Sequence, residues 1–539
     1  MKVWRRSIRV GLGMALFALS GCVEPPPREE PPREEPPVQE PPQTRCQETG
    51  ECEGECQPGA PDAPGDFLDT DCDGLDGQAA RGVFVDGAAG VDEPSAGTRE
   101  RPYKTLGYTL RTAPAGTRYV FIAQGEYLES FRWLNRPVSL QGGYTGVAGG
   151  WTRRKQATVT LKNNDTNGIG VAVEVEARDT SVELAWLNIE SRPATGYSAG
   201  GASIGLRVWK TPRVILDHVR VLATQGRPGD AGRDGTTGAV GGHGDGGGIV
   251  FTPGGKGPGD GGRWGDSQCN PGGTGGRGAR TEASGNAGAK GQPGNSGGQG
   301  GRSCLATAGD CRGEPGQPGT SGAPGASGAW GKASDSVGHI GLNTWVASEG
   351  TPGASGAMGQ GGGGGGGGGS GVLKDTYAVY GGGGGGGGGG GCPGSGGNSG
   401  LSGGASIGIL VIDGNVELHQ SQVTTLGGGK GGRGGTGGRG GAAGEGGSGG
   451  SAPSYQPEGR ETVAGGRGGD GGRGGDGGEG GHGGNGGGGP SVGVWCANGS
   501  LRVDSTRFAT GPAGEPGEGP GNKDATRLQV DQYGCASAP

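Results

Sequence analysis

Apolar and aromatic side chains are scarce in this sequence. The AVILMFWYC set makes up 29 % of it and Phe, Trp and Tyr together 5 %, so a chain of 539 residues cannot fill the several cores its length would suggest. No Lys/Arg cluster interleaves with aromatics and the net charge is −7, which leaves nucleic-acid binding without support. A Ser-His-Asp set with a nucleophile elbow is missing, as is a phosphate loop with its Lys. The many Gly-x-Gly-x-x-Gly strings fall inside glycine runs and carry no weight. The apolar run from Val10 to Leu19 is too short to cross a bilayer. What the chain has in excess is glycine, 144 residues, much of it in tracts that cannot fill a core.

Lys2, Arg5, Arg6 and Arg9 precede the apolar run, which ends in Leu19-Ser20-Gly21-Cys22. A basic start, a short apolar segment and small residues have the form of a secretory signal. With the single Cys they resemble the lipobox of bacterial lipoproteins. The resemblance implies cleavage before Cys22, diacylation of its thiol and acylation of its new amine, a stable multi-chain anchor. The alternative is a plain signal peptide with a chance Cys. Val23 rather than Asp follows Cys22, which by the enteric sorting pattern implies the outer membrane; a protein facing the cell exterior is a separate expectation. From Glu24 to Gln43 the chain repeats Pro-Pro-Arg-Glu-Glu and then degrades. Such proline pairs favour polyproline II at roughly 3.1 Å per residue, a solvated spacer on the order of 60 Å, or else a proline-rich ligand for a partner domain.

With Cys22 lipidated, ten cysteines remain, an even number in an exported chain, so disulfides are expected. Cys46, Cys52, Cys56 and Cys72 fall in one short module; Cys269, Cys304, Cys311 and Cys392 in a large glycine-rich stretch; Cys496 and Cys535 near the end. Connectivity is not readable from spacing, and a zinc site at Cys52 and Cys56 is the weaker alternative, without a nearby His. Asp69, Asp71, Asp73 and Asp76 alternate before glycine turns, the way a loop wraps oxygens around Ca²⁺. The stretch resembles the start of an EF-hand-type or thrombospondin-type calcium loop, although Ala80 stands where the twelfth-position Glu would be. The alternative is a solvated Asp/Gly turn.

A phrase with period-two apolar residues recurs at unequal spacing. Gly170-Val171 leads to Val182-Glu183-Leu184-Ala185, Gly205-Leu206 to Val214-Ile215-Leu216-Asp217, Gly408-Ile409 to Val416-Glu417-Leu418-His419, and Gly493-Val494 to Leu501-Arg502-Val503-Asp504, with a fragment at Leu528-Gln529-Val530-Asp531. Alternation signifies a strand with one buried face. Recurrence of two short strands around a tight corner predicts coils of a parallel β-solenoid, since one coil cannot cover its own apolar face. Val182, Val214, Val416 and Leu501 should stack in one column and Leu184, Leu216, Leu418 and Val503 in the next. Unrelated edge strands of a sandwich are the competing expectation.

Upstream, the segments Gly97-Thr98-Arg99, Arg101-Pro102-Tyr103-Lys104-Thr105-Leu106, Ala123-Gln124-Gly125-Glu126-Tyr127 and Gly142-Gly143-Tyr144 stand in order. Over residues 82–155 they resemble the domain-of-unknown-function family that opens many pectate-lyase-like right-handed β-helices. The resemblance implies an all-β fold, a short right-handed parallel β-helix, with a small helix from Lys104 to Arg111 capping its open end. It says little about activity.

Two insertions interrupt the phrases, of about 180 and about 60 residues, both leaving just after the phrase's last strand. Glycine keeps period three over 226–244, 285–300, 313–331 and 465–486. With Pro at several positions, as in Gly313-Glu314-Pro315-Gly316, the tracts resemble collagen-like bacterial segments. Threefold polyglycine II helices packed within one chain, and a disordered linker, are the other two possibilities. The third edge of 465–486 would carry Arg467, Asp470, Arg473, Asp476, Glu479, His482 and Asn485 to solvent, while Gly361–Gly369 and Gly381–Gly391 read as flexible.

The expected order is thus a signal peptide at 1–21, anchor and spacer at 22–45, a Cys/Asp-rich module at 46–81, and the β-helix opening with its first rungs at 82–225. An insertion at 226–404, a rung at 405–426, an insertion at 427–489 and final rungs at 490–539 follow. Alignment of the phrases places Asp217, His419, Asp504 and Asp531 in one polar column. Solenoid lyases use carboxylates for Ca²⁺ with an Arg or Lys base, but here the column holds neither, which favours a ladder closing each corner. No catalytic residue is assigned. The expectation is a surface lipoprotein whose β-helix scaffolds adhesion or contact with polysaccharide, matrix or other surface proteins. The alternative is a calcium-dependent polysaccharide lyase or other glycan-active β-helix enzyme.

Overall fold

Three parallel sheets take up the repeated phrase. A computed structural model describes residues 45–46, 52–53 and 56–537, apart from 130, 135, 164–169, 193–199, 251–256, 336, 342, 374–376, 457, 459–460 and 522–526. Cys22, the signal segment and the proline spacer lie outside the described residues. The chain divides into residues Met1–Glu55 and Cys56–Pro539. In the former, Arg45–Cys46 and Cys52–Glu53 form an antiparallel pair with Cys46 opposite Cys52.

In the latter, the first sheet has eight strands in spatial order: Gly82–Val85, Tyr119–Ala123, Ser139–Tyr144, Ser181–Ala185, Arg213–Asp217, Asn415–His419, Ser500–Asp504 and Ala536–Ser537. The second has six, Gly125–Leu128, Val159–Lys162, Asn188–Ser191, Arg220–Ala223, Gln422–Thr425 and Arg507–Thr510. The third has six, Phe131–Leu134, Val171–Glu176, Ser203–Trp209, Ser406–Ile412, Ser491–Ala497 and Gln529–Tyr533. From Tyr119 onward the chain visits the first, second and third sheets in rotation. Among the described residues the only α-helix is Leu106–Thr112, so the protein is nearly all-β.

Register bears out the apolar columns. Val182, Val214, Val416 and Leu501 are successive Cα partners, as are Leu184, Leu216, Leu418 and Val503. All but Val503 are buried, and they join Ile189, Val221 and Val423 of the second sheet and Leu206, Ile409 and Val494 of the third in one core. Two alignments fail. Val173, not Val171, stands opposite Leu206, so the first phrase is shifted by two residues. Leu528–Asp531 does not repeat the first-sheet strand: Val530 pairs with Val492 in the third sheet. Alternation alone does not say which of the three sheets a strand belongs to. The corners are regular. Trp186, His218, Gln420 and Ser505, each one residue past a first-sheet strand, have φ of 57°, 53°, 44° and 49°. The helix Leu106–Thr112, capped by the Thr105 hydroxyl, buries Leu106 and Leu110 against Val83, Val85 and Val120 at the start of the core.

The insertions leave at the corner between second and third sheets, and their described residues are ordered. In segment 226–247 every third amide donates to a parallel neighbour: Gly229 to Lys430 O (2.8 Å), Gly232 to Arg433 O (2.8 Å) and Gly235 to Thr436 O (2.7 Å). An antiparallel neighbour bonds to it with the same period, Leu401 to Asp230 O (3.0 Å) and Asn398 to Arg233 O (2.9 Å). Extended segments that bond only to neighbours, one partner per three residues, are threefold helices of the polyglycine II type. The collagen-like stretch 313–319 is one helix of this bundle: Gly316 donates to Arg467 O and Gly319 to Asp470 O of the same chain.

Glycine content follows position in the bundle. Amides of Gly362, Gly365 and Gly368 bond to residues 388, 385 and 382; those of Gly363, Gly366 and Gly369 to 320, 317 and 314; those of Gly361, Gly364 and Gly367 to 292, 289 and 286. Carbonyls of the same segment accept from 273–279, 298–301 and 466–472. Six neighbours leave no edge for a side chain, so Gly361–Gly369 and Gly381–Gly391 are buried and bonded rather than flexible. Where one edge meets solvent the sequence reads Gly-Gly-X, and Arg467, Asp470, Arg473, Asp476 and Glu479 are exposed as expected. Asn485 is not: it is fully buried, accepting from Gly434 N and donating to Gly519 and Gly521 O in the last glycine-rich segment. Helix 313–331, with two edges outward, reads Gly-X-Y.

The bundle is held to the sheets by a hairpin, His339–Ile340 with Trp345–Val346. Trp345 is buried against Ile204, Ile407, Leu410 and Trp495 on the outer face of the third sheet. Disulfides Cys56–Cys72, Cys269–Cys392, Cys304–Cys311 and Cys496–Cys535 respect the three groupings read from sequence. A Cβ on Gly386 would collide with the Arg263 carbonyl. Gly386→Ala should therefore cost about 1–3 kcal/mol, the usual range for overpacking. Ser327→Ala, on an exposed edge, should stay within about 0.5 kcal/mol; thermal unfolding of both variants checks this.

Candidate functional site

Two polar constellations are candidates, and each differs from its sequence reading. The first is the column at the ends of the first-sheet strands. Asp217 partners His419 and His419 partners Asp504. Asp531 lies in the third sheet instead, where its carboxylate accepts from the Thr510 hydroxyl at 2.5 Å. Going the other way, the column continues through Ala185 and Gln141. His218 Nδ1 lies 3.1 Å from Asp217, and His419 lies 3.5 Å from Glu417 and 3.6 Å from Asp504.

The corner is not closed by this column. Ser421 and Thr506, two residues on from His419 and Asp504, close it: the Ser421 hydroxyl donates to His419 O (2.7 Å) and accepts from Val219 N (3.1 Å), and Thr506 donates to Asp504 O (3.0 Å). Beside the column Arg213 donates two hydrogen bonds to Glu417, at 2.7 and 2.8 Å. Those bonds hold the Glu417 carboxyl down at about 2 and raise the Arg213 guanidinium further above its already high value. A guanidinium so paired has no access to the neutral form that proton abstraction requires.

The second constellation is the acidic module. Asp69 and Asp71 converge, as expected, but with Asp62, all three offering a carboxylate oxygen within 4.8 Å of one another. Asp62 forms a second such group with Asp66 and Asp76. The sequence reading stopped at Asp69 and missed Asp62 and Asp66, although Asp62-Ala63-Pro64-Gly65-Asp66 has the composition of a turn that folds back. Asp76 is committed elsewhere. Buried at the foot of the module, it pairs with buried Arg153 at 3.1 Å and accepts from Gly65 N and Phe67 N. Tyr144 donates to its carbonyl at 2.6 Å. Asp73 accepts from Ala79 N through one oxygen (2.8 Å), and its other oxygen is buried without a partner. Burial pushes the Asp62 carboxyl up to about 6, against bonds from Gly77 and Thr70 that pull it down. Burial, then the Asp73 charge, raises Asp71 as well. Asp62, Asp69 and Asp71 are thus a convergent set of hard carboxylate oxygens, which suits Ca²⁺.

Among the described residues no helix is long and apolar enough to cross a membrane. Comparison with protein-family models, with curated proteins and with solved structures finds no match for the chain.

Proposed function

We propose that the protein is an outer-membrane lipoprotein of the cell surface. In this reading the three sheets are the faces of one short right-handed parallel β-helix of the pectate-lyase-like kind, and the β-helix presents the glycine bundle for contact with polysaccharide, matrix or other surface proteins. One observation carries the scaffold reading. The largest insertion is spent on a body whose central tracts, 361–369 and 381–391, are backbone alone, which gives stiffness and a long outer surface but no converging reactive side chains. The pairing of Arg213 with Glu417 supports the same view against a lyase.

The purified full chain, incubated with acidic and neutral polysaccharides with and without Ca²⁺, should bind without yielding unsaturated or shortened products. Such products would overturn the scaffold reading in favour of the glycan-active enzyme. Cys22→Ala should move the protein out of the membrane fraction; unchanged retention would refute the lipid anchor.

The convergence of Asp62, Asp69 and Asp71 favours a bound Ca²⁺ as part of the reading, with further ligands from backbone or water. The ion would neutralise three close carboxylates and stiffen the module between spacer and sheets. Added Ca²⁺ should raise the melting temperature, and Asp62→Asn should abolish that rise; a melting temperature indifferent to Ca²⁺ argues for a plain acidic turn.

A further inference from the structure

The corner between first and second sheets holds a groove of about 330 Å³ that the column of Asp217, His419 and Asp504 does not line. Its walls include Lys155, Arg220, Arg507, Gln422, Trp186 and His218, and no carboxylate. In a chain of net charge −7 this is a local inversion of sign. Register sets the spacing: Asn188, Arg220, Gln422 and Arg507 are successive Cα partners across the second sheet. At about 4.8 Å between strands, Arg220 and Arg507 stand roughly 10 Å apart along the stack with an amide between them. Both are exposed, and neither forms an ion pair with a carboxylate among the described residues. Three exposed cations converging without counter-charge repel one another unless an anion lies between them.

We propose that this groove binds an anionic polysaccharide, carboxylated or sulfated, laid along the strand-stacking direction. The cations would take its acidic groups, and Asn188, Gln420 and Gln422 its hydroxyls. The indole Nε1 of Trp186, buried beneath the groove wall, has no acceptor among the described residues. Single-stranded nucleic acid, the other linear polyanion, needs open aromatic faces for its bases. Trp186 is the one aromatic indole or phenyl ring in the lining, and it is covered by the His218 ring at 4.3 Å and met by the edge of Phe67 at 4.9 Å. The inference rests on the glycan-contact reading and gives it a place and a charge.

The test is direct binding of the purified full chain to a polymannuronate oligosaccharide, its methyl ester, dextran sulfate, neutral dextran and a single-stranded oligonucleotide. One or both anionic glycans should bind, more weakly as salt rises, and esterification should weaken polymannuronate at least tenfold. R220Q/R507Q, which keeps bulk and hydrogen bonding at two exposed positions, should lose at least tenfold in affinity at an unchanged melting temperature. Undiminished binding by that variant would overturn the groove while leaving glycan contact standing. Failure of every glycan to bind would remove both, and preference for the oligonucleotide would overturn the choice of ligand.

Discussion

The structure depends on backbone hydrogen bonds between helices that have no Cβ. In the central tracts 361–369 and 381–391 each glycine amide reaches a carbonyl of a neighbouring segment, and each carbonyl accepts in turn from an amide or a side chain. At Gly365 and Gly386 another carbonyl oxygen lies where a Cβ would stand. That is the direction of glycine's second α-hydrogen, so the oxygens that exclude a side chain also accept Cα–H···O contacts. Close approach and glycine content are therefore one constraint. Relaxing it anywhere inside would push apart six neighbours.

Such a bundle gains little from any single bond. A protein hydrogen bond nets about 0.5–1.5 kcal/mol, while ordering a residue's backbone costs about 1–2 kcal/mol, and glycine lies at the expensive end. With one bond per residue the balance is close, and support from outside decides it. The parallel sheets provide that support. Their strand register fixes the corner at which each insertion leaves and returns, and the helices 226–248 and 427–448 begin side by side because Ala223 and Thr425 are already partners. Trp345 ties a bundle hairpin to the third sheet, and Cys269–Cys392 joins residues 123 apart. A crosslink closing a loop of that length removes about 4–5 kcal/mol of unfolded-state entropy in the chain-entropy model.

How far the sequence could be read follows from which residues carry side-chain information. Val182, Val214 and Val416 announce a buried column, and register places them there. Asp531 was misplaced because Leu528-Gln529-Val530 has the same alternation as a first-sheet strand, and period two does not identify a sheet. The glycine tracts left three possibilities open at sequence level because their order lies in which segment neighbours which, a property of the whole insertion. In retrospect the density of glycine is itself the map: all-glycine for six neighbours, Gly-Gly-X for one free edge, Gly-X-Y for two. Of the acidic site, Asp69 and Asp71 were legible from local spacing; Asp62 comes from a fold-back, and Arg153 arrives from the loop that follows the strand Ser139–Tyr144 to claim Asp76.

The account stands or falls on whether the glycine tracts are a hydrogen-bonded solid or a loose chain. Amide hydrogen exchange over residues 361–369 and 381–391 decides it most directly, because those segments have no side chains to report on anything else. The account predicts protection comparable to that of the first-sheet strands Arg213–Asp217 and Asn415–His419, with slow, cooperative exchange across both tracts. Exchange at the rate of an unstructured peptide, with the strands still protected, would contradict it and leave the parallel sheets carrying long flexible loops.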